Sequence, residues 1–160
     1  MADPAEIIVR RARPEDSTDL EAILRDTFES TWRPNFTAAA SAAILAEDRP
    51  AKYVSQQGLD FWVAEQEGEV VGLVHWRDDF VHALHVRSSH ARRGVGARLM
   101  DEAEAGIAGS GFLAARLETD TFNTASQAFY AARGYREAGR YPDEEWGSGL
   151  TTILLVKALA

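Results

Sequence analysis

The stretch "HARRGVGARL", His90 to Leu99, sets two adjacent arginines and two closely spaced glycines against the start of an apolar stripe. These residue types in this order suit the holding of a phosphate. Where a helix begins, the first amides have no carbonyl partner and the helix dipole favours negative charge. Glycine at 94 and 96 removes side chains that would keep an anion from the amides of Arg92, Arg93, Gly94, Val95, Gly96 and Ala97. Arg92 and Arg93 add charge-assisted hydrogen bonds. A glycine turn with solvated arginines has the same sequence, so the surroundings must decide. Two phosphate motifs are excluded. There is no Gly-Lys-[Ser/Thr] of a P-loop, and Gly94-x-Gly96-x-x-Leu99 lacks the third glycine of a dinucleotide fingerprint.

The elements around this turn follow from hydrophobic period and punctuation. Ile7 to Arg13 reads as a strand ended by Pro14, and Leu20, Ile23, Leu24, Thr27 and Phe28 recur at helical spacing. "STWRPNF" breaks that helix. An Ala-rich second helix runs from Thr37 to Glu47 and is expected to stop at Arg49-Pro50. Strands Phe61–Gln66 and Glu69–Trp76 are joined by a tight turn at Glu67-Gly68, and Val81–Val86 follows. Val95, Leu99, Ala103 and Ile107 make one face of a helix that stops near Gly109 and Gly111. After the strand Leu113–Thr119, Asn123 caps a helix with Ala125, Ala128, Phe129 and Ala132 on one stripe, ended by Gly134. Strands Tyr135–Tyr141 and Leu150–Lys157 flank the polar loop "PDEEWGSG".

This order predicts one α/β (α+β) domain over residues 1–160, with its core at about 7–157. A mixed, mostly antiparallel sheet of about seven strands is flanked by about four helices. The 160 residues, 46% apolar and 26% charged, suffice for a core. No cysteine is present, which removes disulfides, thiolate metal sites and a covalent cysteine intermediate. The four histidines have no metal-ligand spacing, so no metal is expected. A net charge of −8 disfavours nucleic acid, and no apolar run reads as a signal peptide or membrane span. The expected setting is cytoplasmic.

"ALHVRSSHARRGVGARLM" resembles the central motif of the GNAT superfamily, the acetyl-CoA-dependent N-acetyltransferases. Leu84 and Val86 match its Leu-x-Val strand, and Gly94 and Gly96 match [Gln/Arg]-x-x-Gly-x-[Gly/Ala]. Ala91 stands where that motif has a polar residue. "NTASQAFYAARGY" is similar to the family's second helix through Asn123, Tyr130, Gly134 and Tyr135, with Ser126 in place of alanine. The resemblance covers nearly the whole chain.

It implies that the strands containing Val81–Val86 and Leu113–Thr119 splay apart. The pantetheine of acetyl-CoA would lie between them on the backbone of Leu84, His85 and Val86, and the pyrophosphate on the amides of residues 92–97. Asn123 and Tyr130 belong to the same cofactor site. Tyr130 is the expected general acid for the departing thiolate. It lies roughly 150° from the alanine stripe at 100° per residue, facing away from the expected packing surface.

Phe80 occupies the position of the family's usual strand glutamate. His82, two residues on, is the expected water-relayed base, and "VHAL" resembles the arylalkylamine acetyltransferases there. His75 and His85 rank lower. The acceptor site is expected at Trp32, Phe36, Glu145 and Trp146, with Glu29, Asp143 and Glu144 nearby, and would suit a cation with an apolar body. The resemblance implies transfer of acetyl from acetyl-CoA to a primary amine of a small molecule or peptide. A catalytically silent acyl-CoA sensor or partner-binding module is the alternative. The apolar "LTTILLVKAL" is expected at an open sheet edge that a homodimer would cover.

Overall fold

The period-two pattern from Trp62 to Val86 folds into a three-strand meander, and the rest of the sheet grows outward from it. A computed structural model describes residues 6–144 and 148–159. Strands β1 (Ile7–Arg11), β2 (Trp62–Gln66), β3 (Glu69–Arg77) and β4 (Phe80–Val86) pair antiparallel in that order. Strand β5 (Ala114–Asp120) runs parallel to β4, and the order ends β5-β7-β6, with β6 at Arg136–Pro142 and β7 at Thr151–Ala158.

Helices α1 (Ser17–Thr27), α2 (Ala38–Glu47) and α3 (Arg49–Gln57) precede the meander. Helices α4 (Val95–Gly109) and α5 (Thr124–Ala132) flank β5. One core sits between α4 and the sheet, around Leu99, Met100, Ala103, Ile107, Val74 and Leu117. A second lies on the other face, where Leu20, Ile23 and Leu24 of α1 meet Val63, Leu73 and Ala83. Burying an aliphatic side chain of this kind contributes about 1.5–3 kcal/mol, so each helix is held chiefly by its buried stripe. Gly106 of α4 allows close packing, because a Cβ there would lie 2.4 Å from Trp76.

Three expectations are corrected. Arg49-Pro50 ends nothing: the chain turns at Asp48, with φ of 48°, and Pro50 lies in the first turn of α3, giving five α-helices among the described residues. Proline's missing N–H is harmless in a first turn, so the same residue reads as stop or start. "LTTILLVKAL" is no open edge. It contains β7, which lies between β5 and β6, and polar β6 forms the border. The edge argument for a homodimer therefore lapses.

The alanine stripe of α5 faces solvent. Ala125, Ala128 and Ala132 are exposed, while Tyr130 is buried and Ser126, Gln127 and Phe129 are partly buried. Alanines carry too little apolar area to orient a helix. Here a Ser126–Thr119 hydroxyl bond of 2.9 Å and Gln127 amide bonds to the carbonyls of Asp120 and Thr121 turn the opposite face inward.

Candidate active site

The parallel pairing of β4 with β5 covers only Phe80 with Arg116 and Val81 with Leu117. Beyond Val81, residues Ala83–Val86 pair with β3 alone, so β4 turns an unpaired backbone edge toward a widening gap. Buried amides and carbonyls need partners, and an extended ligand laid along this edge would supply them.

Strand β4 runs from there into the glycine turn. Asp26 of α1 holds the intervening loop, accepting bonds from the Ser88 amide at 2.7 Å and the Ser88 hydroxyl at 3.0 Å. The chain is left-handed at Arg92 (φ 62°) and Gly94 (φ 85°), and Gly94 caps α4 without a side-chain bond. The first closing bond of the helix is Arg98 N–H to Gly94 C=O at 3.1 Å. None of the six amides from Arg92 to Ala97 has an acceptor among the described residues. Arg92 and Arg93 are exposed and form no ion pair there. Ala91 is exposed, whereas Val95 points its side chain into the core, leaving only its amide for a ligand. A Cβ at position 94 would meet nothing within 4 Å, so the glycine serves the turn and open space above it.

Tyr130 belongs to the core cluster that also holds Val81, Val95 and Leu117. It is 8% exposed, and its ring stands edge-on to Phe129 at 5.1 Å and Tyr135 at 5.5 Å. Its hydroxyl has no hydrogen bond among the described residues. Burial pushes the phenol above its ordinary range, so it stays a neutral donor. Helix α5 is fixed by the Asn123 cap on the Ser126 amide and by Arg133, which reaches the Ala97 carbonyl, Asp101 and Glu104 of α4. Asn123's side-chain oxygen is thereby engaged within the fold.

The other face of the gap carries the histidines. A bulge opposes Val81 to Trp76 and Ala83 to His75, with His82 as the extra residue of β4. It brings His82 and His85, three apart, onto the α1 face together with Phe80. His82 is exposed, its ring 4.9 Å from Phe80 and 5.4 Å from His75. Burial and Arg77 lower its proton affinity, while Glu118 and Asp78 oppose this. His75 is buried against Tyr53, whose hydroxyl lies 2.6 Å from Nδ1, and burial holds the imidazole down at about 4. His85 is buried too, bonded to Thr27 at 3.1 Å and likewise lowered to about 4.

A π-helical turn at Phe28–Trp32 places Trp32 edge-on over His85 at 5.6 Å. Trp32 stacks on Phe36, which meets Phe122 edge-on, forming an aromatic wall. Glu29 pairs with Arg33, and Asp143 accepts bonds from the Ser148 amide and hydroxyl. Glu145 and Trp146 lie outside the described residues.

The sequence reading missed Glu118, Asp120 and Tyr141. Tyr141 donates a 2.6 Å bond to Glu118, and Asp120 is pushed up to about 6 by burial, then by Asp143 and Glu118. The signal was the period-two alternation of Arg116, Glu118 and Asp120 with buried Ala115, Leu117 and Thr119. No group of three or more His, Asp or Glu among the described residues is placed to hold a metal. None of the helices is long and apolar enough to cross a membrane.

A β4/β5 pair joined at only two positions, a helix start with bare amides and a buried tyrosine on α5 are the features this α/β fold sets out. A profile of the Acetyltransferase (GNAT) family matches residues 18–135, and the chain belongs to that family. It is 29% identical to human N-acetyltransferase 8 over 103 residues, spanning 58% of this chain and 45% of that protein. It is 36% identical to blasticidin-S acetyltransferase of Streptomyces morookaense over 95 residues, spanning 59% and 68%. The match thus covers less than half of the human relative. A GCN5-related N-acetyltransferase from Rhodopseudomonas palustris superposes with a TM-score of 0.79 at 24% identity over 95% of each chain. The PaiA N-acetyltransferase of Thermoplasma acidophilum, in complex with coenzyme A, gives 0.73 at 18% over 96% and 99%. These two likenesses establish the shared fold.

Proposed function

We propose that the protein is an acetyl-CoA-dependent N-acetyltransferase acting on a primary amine of a cationic small molecule or peptide. The observation that carries the reading is the set of six partnerless amides at residues 92–97, continuous with the unpaired edge of β4. Such a surface fits a pyrophosphate followed by an amide-bearing arm. The donor supplies an acetyl thioester, and the residues of the chain supply position and proton transfer.

The donor seat and Tyr130 lie on the α4 and α5 side of the sheet, and His82 on the α1 and α3 side. The gap between β4 and β5 is where the two meet. An amine must lose its proton before attack, since its ordinary pKa of about 10 leaves it cationic at neutral pH. Glu118, Asp120 and Asp143 surround the acceptor side with negative charge, which attracts that cation, and Trp32, Phe36 and Phe122 wall its apolar body. His82 takes the proton through water. The amine lone pair then forms the C–N bond at the thioester carbonyl, and the C–S bond breaks as Tyr130 gives its phenolic proton to the sulfur. The second nitrogen proton leaves by the same water to bulk solvent, which also reprotonates Tyr130.

The test has two arms. Coenzyme A at a hundredfold excess over its Kd is expected to raise Tm by about 5–11 °C. Thiol release from acetyl-CoA across a panel of cationic and neutral amines reads catalysis. Stabilisation without turnover on any amine would favour the silent acyl-CoA sensor, and neither response would overturn the donor site.

A further inference from the structure

His82 stands in the open, between a carboxylate and a second imidazole that are each bonded by a tyrosine. On one side Tyr141 of β6 donates to Oε2 of Glu118 at 2.6 Å. Glu118 and His82 each directly follow the last paired position of β5 and β4, Leu117 with Val81, which makes Glu118 the neighbouring residue whose charge favours the imidazolium. On the other, Tyr53 of α3 bonds Nδ1 of His75 at 2.6 Å, and the His75 ring lies 5.4 Å from that of His82. We propose that Tyr141 is a positioning residue that acts through Glu118, clamping its carboxylate where it stabilises the imidazolium of His82. This rests on the proposed role of His82 as the base.

Four features support the clamp. Glu118 and Tyr141 are both exposed, so without the phenol the flexible carboxylate would swing toward water. A phenol–carboxylate bond of 2.6 Å is in the short, charge-assisted range. Tyr141 is itself pushed up to about 12, by burial first and then by Glu118, and so remains a donor at any working pH. The nearby guanidinium of Arg116 is already committed, bound at both ends to Asp79 at 2.8 and 3.0 Å, so it does not take Glu118 away.

The remaining groups around His82 are few. Arg77 opposes its protonation and Asp78 favours it, both from the β3–β4 turn region. His75 is held down to about 4, by burial first and then by His82, with Asp60 opposing and Arg77 adding to the lowering. Helix α1 presents Leu20, Ile23 and Leu24, all apolar, to this face. Among the described residues, Glu118 is therefore the one charge acting on His82 whose place depends on a hydrogen bond from another strand.

The experiment is an NMR titration of the His82 imidazole, assigned with His82→Gln, in four proteins: wild type, Tyr141→Phe, Glu118→Gln and the double variant. Glu118→Gln is expected to lower the His82 midpoint by about half a pH unit, and Tyr141→Phe to lower it by a smaller amount. In the Glu118→Gln background, Tyr141→Phe is expected to do nothing further, because the tyrosine acts only through the carboxylate. The acidic limb of kcat/KM should move to lower pH by the same amounts. An unmoved midpoint in Tyr141→Phe, or a shift that persists in the double variant, overturns the clamp. NMR shifts as expected with an unmoved acidic limb would keep the clamp and remove His82 as the base.

Discussion

Asp120→Asn separates what this site costs the fold from what it does for a cation. Asp120 ends β5, partly buried, with no hydrogen bond to its carboxylate among the described residues. Burial, then the charges of Asp143 and Glu118, raise it from an ordinary 3.8 to about 6. The folded state therefore holds this proton more tightly than the unfolded chain. Stability from this group is full below pH 4, falls as pH rises toward 6, and is level above. At face value the interval is about 3 kcal/mol, and solvent screening and relaxation of a partly exposed group reduce it to about 1 kcal/mol. Replacing the carboxylate with a neutral isostere should thus raise Tm by roughly 2–4 °C at pH 7.5 and leave it unchanged near pH 4. Thermal melts of both proteins from pH 4 to 8 measure this directly. In the same variant, KM for a cationic acceptor should rise about tenfold, with little change for a neutral amine. A Tm difference independent of pH, or a less stable variant at pH 7.5, would refute the reasoning.

Tyr130→Phe should retain the coenzyme A thermal shift and lose about a hundredfold in kcat, because only the proton for the thiolate is removed; turnover within a fewfold of wild type would end that assignment. Gly94→Val places a branched side chain at a φ of 85°, and should abolish stabilisation by coenzyme A at concentrations that saturate the wild type. Gly106→Ala should cost about 1–3 kcal/mol in urea unfolding, since its Cβ would lie 2.4 Å from Trp76. Asp16 is buried and accepts from Arg10 at 2.8 and 3.0 Å, a pairing that holds its carboxyl below the ordinary range. Its contribution is present above pH 3.8 and lost as pH falls, so Asp16→Ala should cost about 3 kcal/mol at pH 7 and less on acidification, read from urea midpoints.

Much of this fold was legible because its signals are local. Thr37 caps α2 through the Ala40 amide and Asn123 caps α5 through the Ser126 amide, each a matter of a few adjacent residues. The glycine turn is local as well: a left-handed Gly94 followed by a helix leaves amides bare whatever packs around it. The strands of the meander follow from period two. Pro50 misled because a proline tolerated in a first turn and a proline that stops a helix have the same sequence.

The sequence by itself determined the bare helix start proposed as the donor seat, since unpaired first-turn amides are a property of one chain segment. The proposed acceptor side was decided only by tertiary structure. The bulge at His82 depends on how β4 registers with β3, and the fork depends on where β5 parts from β4. Tyr130 is buried because Ser126 and Gln127 bond to β5 and its following turn, against the pull of its own alanines. Glu118 meets Tyr141 from a strand two places away in the sheet. A charge acquires a neighbour of this kind only when distant segments pair, and no local pattern specifies that pairing.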